Sequence, residues 1–110
     1  MTYLIVDADR NFREALAIAL RLEGHEVRTA SHGREALNQL ERGGVGCCVA
    51  DWGVDLVDEL LAASTRAGVR TIVTGIHPAL VTSTARRHPR SEALPKPFGP
   101  EQLTRAARQI

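Results

Sequence analysis

The sequence has no long apolar run. Apolar residues make up 44% of the chain and charged residues 25%, and no stretch approaches the roughly 20 apolar residues that a membrane-spanning helix needs. The first residues also lack the basic and apolar pattern of a signal peptide. We therefore expect a protein that has no membrane partner and works in the cytoplasm.

An excess of charge of one sign is absent too. The formal net charge is +1, which gives no long-range field to draw the whole domain onto a polyanion. The composition therefore disfavours nucleic acid as a partner.

Cysteine is scarce, and its spacing excludes the common metal motifs. The two cysteines, Cys47 and Cys48, are adjacent, so on a strand they would face opposite sides and could not form an unstrained disulfide. No metal-binding CxxC spacing occurs. We predict two buried thiols without redox or metal chemistry.

The length of 110 residues is typical of one domain. We therefore expect residues 1–110 to form a single domain with one core.

Hydrophobic periodicity predicts strands and helices that alternate along the chain. Short apolar runs predict strands at 3–6, 26–30, 45–50, 70–74 and 92–94. Helical spacing predicts helices at 12–22, between Ser31 and Gly43, at 56–67, at 78–87 and from Pro100. Ser31 is the expected N-cap of the second helix.

Strands joined by helices require parallel pairing and right-handed crossovers. The predicted fold class is therefore α/β, with a doubly wound five-stranded parallel sheet and five helices. Such sheets carry their sites at the carboxyl ends of the strands.

Polar residues follow the predicted strands at that edge: Asp7, Asp9, Asp51, Thr74 and Lys96. Two carboxylates placed close together repel, and either a divalent cation or the ammonium of Lys96 would relieve this. Hard oxygen ligands favour Mg²⁺. A carboxylate can also attack phosphorus while cations and a hydroxyl stabilise the transferring oxygens. These residue types therefore favour phosphoryl transfer.

Four fragments resemble the response-regulator receiver (CheY-like) family. They are LIVDAD at 4–9, CVADW at 48–52, IVTG at 72–75 and LPKPF at 94–98, and together they span the chain. The resemblance implies a CheY-like (flavodoxin-like) (βα)5 fold and a receiver of two-component signalling.

The resemblance also implies a role for each matching position. Asp51 would be the phosphoacceptor, with Thr74 and Lys96 binding the phosphoryl group. Mg²⁺ would be held by Asp7, Asp51 and the backbone carbonyl of Gly53. The peptide bond between Lys96 and Pro97 would be cis.

Three departures from the family pattern stand out. Ala8 replaces the second acid of the metal-binding pair, so Mg²⁺ binding should be weakened or absent, with Asp9 as a candidate substitute ligand or a helix N-cap. The loop after Asp51 is shortened, and Asp55 is the expected N-cap of the third helix. The aromatic position that responds to phosphorylation holds Ala93.

These features support three functional hypotheses. The first is a stand-alone receiver of a phosphorelay that takes a phosphoryl group on Asp51 from a histidine kinase or phosphotransfer protein. It would signal to a downstream protein target, with a homodimer as a further partnership. It would not be an enzyme beyond self-phosphorylation and dephosphorylation at Asp51.

The second hypothesis is a pseudo-receiver, an interaction module that works without phosphorylation. Ala8, Ala93 and the shortened loop support it. The third and most remote is a haloacid-dehalogenase-like phosphatase, in which Asp7 would be the nucleophile and Asp9 the acid/base. That family needs a further acidic motif after the lysine, and only Glu101 follows Lys96.

Overall fold

Ten elements alternate between strand and helix in the computed structural model, which describes residues 1–109. The strands are β1 Thr2–Val6, β2 Glu26–Ala30, β3 Cys47–Asp51, β4 Arg70–Gly75 and β5 Ser91–Pro95. The helices are α1 Arg10–Leu22, α2 Gly33–Glu41, α3 Val57–Arg66, α4 Pro78–Arg86 and α5 Pro100–Arg108. Each predicted element is present, with bounds shifted by a few residues at most.

The five strands form one sheet in the order β2-β1-β3-β4-β5, and every neighbouring pair is parallel. This confirms the doubly wound α/β class. The order reverses beside β1, so the carboxyl ends of β1 and β3 lie next to each other at the switch point, where such folds place their sites.

Successive side chains of the strands enter two different layers of the core. Leu4 and Val6 of β1 pack in the layer that contains residues of α2, α3 and α4. Tyr3 and Ile5 pack in the other layer, with residues of α1 and α5. This period of two is the geometry of a strand buried on both faces. Within residues 1–109, no helix is both long enough and apolar enough to cross a bilayer.

The two cysteines divide between these layers. Cys48 lies in the α2–α4 layer and Cys47 in the α1–α5 layer, and both are free thiols with no exposed surface. Burial raises the pKa of Cys47 above its usual range and raises the pKa of Cys48 to about 12. The predicted pair of buried thiols is confirmed.

The N-cap predicted for α2 was wrong by one residue. The cap is His32, whose Nδ1 accepts a hydrogen bond from the Glu35 amide at 3.3 Å. Ser31 lies one residue earlier, and its own amide donates to Glu35 Oε1 at 3.0 Å. The Glu35 side chain therefore reaches back past the cap to the backbone of Ser31.

The N-cap predicted for α3 was also wrong. Asp55 does not cap α3, whose N-cap position is Leu56 in a left-handed conformation with φ 59°. Asp55 Oδ1 instead accepts from the Gly33 amide at 2.8 Å, at the start of α2. The short loop after β3 packs so closely on α2 that a Cβ at Gly33 would overlap the Asp55 carbonyl oxygen. Asp55 therefore caps the neighbouring helix.

Candidate functional site

Asp7 forms the buried side of the site. It follows β1 and is 4% exposed. Its Oδ1 accepts from the Asp9 amide at 2.9 Å, and its Oδ2 accepts from Lys96 Nζ at 2.8 Å. The Asp7 carbonyl oxygen also accepts from the Arg13 guanidinium at 2.6 Å. These contacts fix both the carboxylate and its backbone.

Asp51 forms the more open side. It ends β3, and its side chain is 22% exposed. Its Oδ2 accepts from the Gly53 amide at 2.9 Å, and its Oδ1 accepts from Lys96 Nζ at 3.3 Å. Because part of its side chain faces solvent, this carboxylate can be reached by an incoming group, whereas Asp7 is almost enclosed.

Lys96 links the two carboxylates and is the only lysine in the sequence. Its side chain is 13% exposed. Its backbone amide donates to the Gly75 carbonyl at 2.8 Å, which ties the loop after β5 to the end of β4. The Lys96–Pro97 peptide bond is cis, as predicted.

The ionisation of Lys96 reflects opposing effects. Burial lowers the pKa of its ammonium, but the hydrogen bond and charge of Asp7, with smaller contributions from Asp51, outweigh burial and raise the pKa. An opposite charge within hydrogen-bond distance favours the charged form. Lys96 is therefore a cation at physiological pH.

Thr74 and Trp52 complete the surroundings of Asp51. Thr74 is 1% exposed and is the register partner of Asp51 on β4, so both side chains leave the same face of the sheet. The Trp52 amide donates to the Thr74 carbonyl at 2.9 Å. The Trp52 indole lies against Gly75, where φ is 153° and where a Cβ would overlap the ring. Glycine is thus required beside the indole.

The metal-binding prediction depends on the oxygens near Asp7 and Asp51. Two carboxylates and the Gly53 carbonyl are hard donors of the kind that Mg²⁺ prefers. Within residues 1–109, however, no three acidic, histidine or cysteine side chains lie together as a metal-binding group. Asp9 is exposed and caps α1, accepting from the Phe12 amide at 3.2 Å. The donors therefore fit Mg²⁺ in kind but are few in number.

The sequence assigned no role beside Lys96 to the aromatic ring of Phe12 or to its contact with Phe98. The Phe12 ring centroid lies 3.9 Å from Lys96 Nζ, and the Phe98 ring packs edge-on against it. The helical pattern of α1 marks Phe12 only as a core residue. Nothing in the spacing of the sequence connects it with a lysine that follows β5.

A comparison with protein families identifies the family of the chain. The family model of the response regulator receiver domain matches residues 3–108. The chain belongs to this family. Receivers are signalling domains of two-component systems; they typically bind Mg²⁺ and interact with histidine kinases or phosphotransfer proteins and with downstream targets. The predicted resemblance to CheY-like proteins is confirmed, and the family match favours the receiver hypotheses over the phosphatase.

Solved structures show the same receiver fold. A response regulator from Burkholderia pseudomallei with a phosphorylated aspartic acid and a calcium ion matches with a TM-score of 0.83 at 18% identity, covering 98% of this chain and 66% of that protein. CheY4 of Vibrio cholerae matches with a TM-score of 0.78 at 21% identity, covering 96% and 97%. The receiver of the hybrid histidine kinase CckA matches with a TM-score of 0.75 at 24% identity, covering 99% and 97%.

No curated protein sequence matches the chain significantly.

Proposed function

We propose that this receiver accepts a phosphoryl group on Asp51 and signals through contact with a downstream protein. The arrangement of Lys96 carries the proposal. Its ammonium bridges Asp7 Oδ2 at 2.8 Å and Asp51 Oδ1 at 3.3 Å. Of the two carboxylates, Asp51 at the end of β3 is the one that remains partly exposed, and the Lys96 ammonium lies beside it.

In the proposed reaction, a carboxylate oxygen of Asp51 attacks the phosphorus of a phosphohistidine or acyl phosphate. The new oxygen–phosphorus bond forms as the bond from phosphorus to the donor breaks, and the donor leaves with the electron pair. Lys96 neutralises charge on the transferring oxygens, and Thr74 would donate a hydroxyl hydrogen bond to them. Mg²⁺ bound by Asp7, Asp51 and the Gly53 carbonyl would supply further positive charge.

Labelling with acetyl phosphate tests this proposal. In the presence of Mg²⁺, we expect the intact mass of the wild type to rise by one phosphoryl group and Asp51→Asn to stay unlabelled. Glu59→Gln is the matched control, because it removes an exposed carboxylate in the first turn of α3 that takes no part in the contacts of Asp7, Asp51 and Lys96. Wild type that stays unlabelled under conditions that label an ordinary receiver would overturn the proposal.

A second candidate function is the pseudo-receiver. All four carboxylate oxygens of Asp7 and Asp51 accept from an N–H donor of the chain itself: the amides of Asp9 and Gly53, and Lys96 for the remaining two. With Ala8 in place of an acidic ligand, Lys96 neutralises one of the two carboxylate charges without a metal. This favours weak Mg²⁺ binding and an interaction module that does not depend on phosphate.

Fluorescence of Trp52, the only tryptophan, separates the two candidates. For a phosphorylated receiver, we expect Mg²⁺ followed by beryllofluoride to change the emission. Ala8→Asp supplies a further oxygen ligand, so it should bind Mg²⁺ more tightly than the wild type. A flat response in the wild type together with a clear response in Ala8→Asp would favour the pseudo-receiver.

A further inference from the structure

An aromatic ring lies beneath the ammonium of Lys96. Lys96 Nζ is 3.9 Å from the centroid of the Phe12 ring, well within the range of about 6 Å over which a ring face attracts a cation. The same ammonium donates to Asp7 and Asp51. The ring therefore covers one side of the ammonium while the carboxylates take two of its three hydrogens.

The Phe12 ring is itself held from two directions. The Phe12 amide donates to Asp9 Oδ1 at 3.2 Å, which fixes the first turn of α1 on the loop that carries Asp7. The Phe98 ring packs edge-to-face on Phe12, with centroids 5.8 Å apart and an interplanar angle of 78°. Phe98 belongs to the segment that carries Lys96, so the two rings join α1 to the lysine.

We propose that Phe12 is a positioning residue whose ring face holds the Lys96 ammonium between Asp7 and Asp51. A lysine side chain is a flexible stem with a compact charge, so hydrogen bonds alone leave the ammonium more freedom than the ring allows. The effect on phosphorylation rests on the proposed function of Asp51, whereas the placement of the ammonium does not.

Nuclear magnetic resonance of lysine-labelled protein tests the placement directly, because a chain with one lysine gives one side-chain spin system. In the wild type, we expect the ε-methylene protons of Lys96 to resonate upfield of an ordinary lysine, because they lie near the face of an aromatic ring. Phe12→Leu should return them towards the ordinary position. Phe12→Tyr retains a ring face and should keep the upfield shift.

If Phe12 only stabilised the fold, Phe12→Leu would lower the stability without moving the Lys96 signal. Leu16→Ala removes a buried side chain of α1 from the same core layer and serves as the control for lost stability. It should destabilise the fold while leaving the Lys96 signal in place. Identical Lys96 signals in the wild type and Phe12→Leu would overturn the proposal, even if Phe12→Leu were less stable.

The kinetic consequence is tested with acetyl phosphate. In Phe12→Leu, acetyl phosphate should label Asp51 several-fold more slowly than in the wild type, up to about tenfold for a partly desolvated cation–ring contact. In Phe12→Tyr, the labelling rate should stay close to that of the wild type. Labelling of Phe12→Leu at the wild-type rate would overturn the positioning role. If the wild type is not labelled, the proposed function fails, and the resonance of Lys96 alone decides whether Phe12 positions the ammonium.

Discussion

At the scale of single residues, Asp7 and Asp51 share one ammonium but hold it unequally. The contact from Lys96 Nζ is 2.8 Å to Asp7 and 3.3 Å to Asp51, and the two side chains are 5% and 22% exposed. Removing one partner of an ion pair costs more stability when the pair is shorter and less exposed to water. Asp7 therefore contributes chiefly to holding the lysine, and Asp51 is the more accessible carboxylate of the two.

This inequality predicts different costs for neutralising each carboxylate. Asp7→Asn should lower the free energy of unfolding by about 2–3 kcal/mol, because it leaves a buried ammonium with only its longer contact. Asp51→Asn should change it by less than about 1 kcal/mol, because the lost attraction to Lys96 is offset by relief of repulsion from Asp7. Urea denaturation of both variants at pH 7 measures the difference, and equal costs would contradict the unequal sharing.

Lys96 gives a prediction for the pH dependence of stability. Because its pKa is raised in the folded protein from the ordinary value of 10.5, its stabilising contribution is complete below that ordinary value. The contribution is lost as the pH rises through the raised value. At neutral pH, Lys96→Met should lower the free energy of unfolding by about 3 kcal/mol, since it leaves two adjacent carboxylates without their cation.

Urea denaturation at several alkaline pH values compares the two proteins. The stability difference between wild type and Lys96→Met should be constant from pH 7 to about 10 and then narrow. A difference that widens with alkaline pH would mean that the neutral amine, not the ammonium, makes the stabilising contacts.

At the scale of elements, the loop between β3 and α3 shows how neighbouring units are joined. Gly53 donates to Asp51 at one end of the loop, and Asp55 accepts from Gly33 of α2 at the other. Leu56, between Asp55 and the start of α3, adopts a left-handed conformation. This conformation costs a non-glycine residue about 1 kcal/mol or more. The contact with α2 therefore fixes the loop that follows Asp51.

Removing this contact should loosen α2 and not α3. Asp55→Ala should lower the free energy of unfolding by about 1 kcal/mol, as expected for the loss of a helix cap. Amide hydrogen exchange should quicken in the first turn of α2, beginning at Gly33. Glu59→Ala, an exposed residue in the first turn of α3, is the control, and faster exchange confined to α3 in Asp55→Ala would contradict the assignment.

The sequence predicted the elements well because their signals are local. Apolar runs and helical spacing are properties of one segment, and the edge of the sheet follows from the parallel topology that these segments require. The partners of side chains are not local. Asp55 lies where the sequence predicts an N-cap of α3, yet its carboxylate accepts from the amide of Gly33, 22 positions away in the chain.

The site shows the same limit. Residues at the ends of strands, such as Asp7, Asp51 and Lys96, could be grouped from topology alone, because parallel strands bring their carboxyl ends to one edge. Phe12 lies on a helix, and its contact with Lys96 depends on the tilt of α1 against the loop after β5. No spacing in the sequence encodes that angle.

At the scale of the whole molecule, one sheet separates two apolar layers, and each central strand contributes side chains to both of them. Cys47 and Cys48 are neighbours in the chain but report on opposite layers. Because burial raises the pKa of both thiols, neither reacts readily as a thiolate in the folded state. Their alkylation therefore measures opening of the layer in which each one lies.

Because the two layers are built on the same strands, we expect them to open in a single cooperative unfolding event. Once one thiol is alkylated, the added group cannot be packed back into a filled core, so the second thiol should react in the same opening. Intact-mass spectra of native protein treated with a thiol reagent should then show chains with no label and chains with two labels. Accumulation of singly labelled chains would contradict this expectation, since it would mean that one layer opens while the sheet and the other layer remain folded.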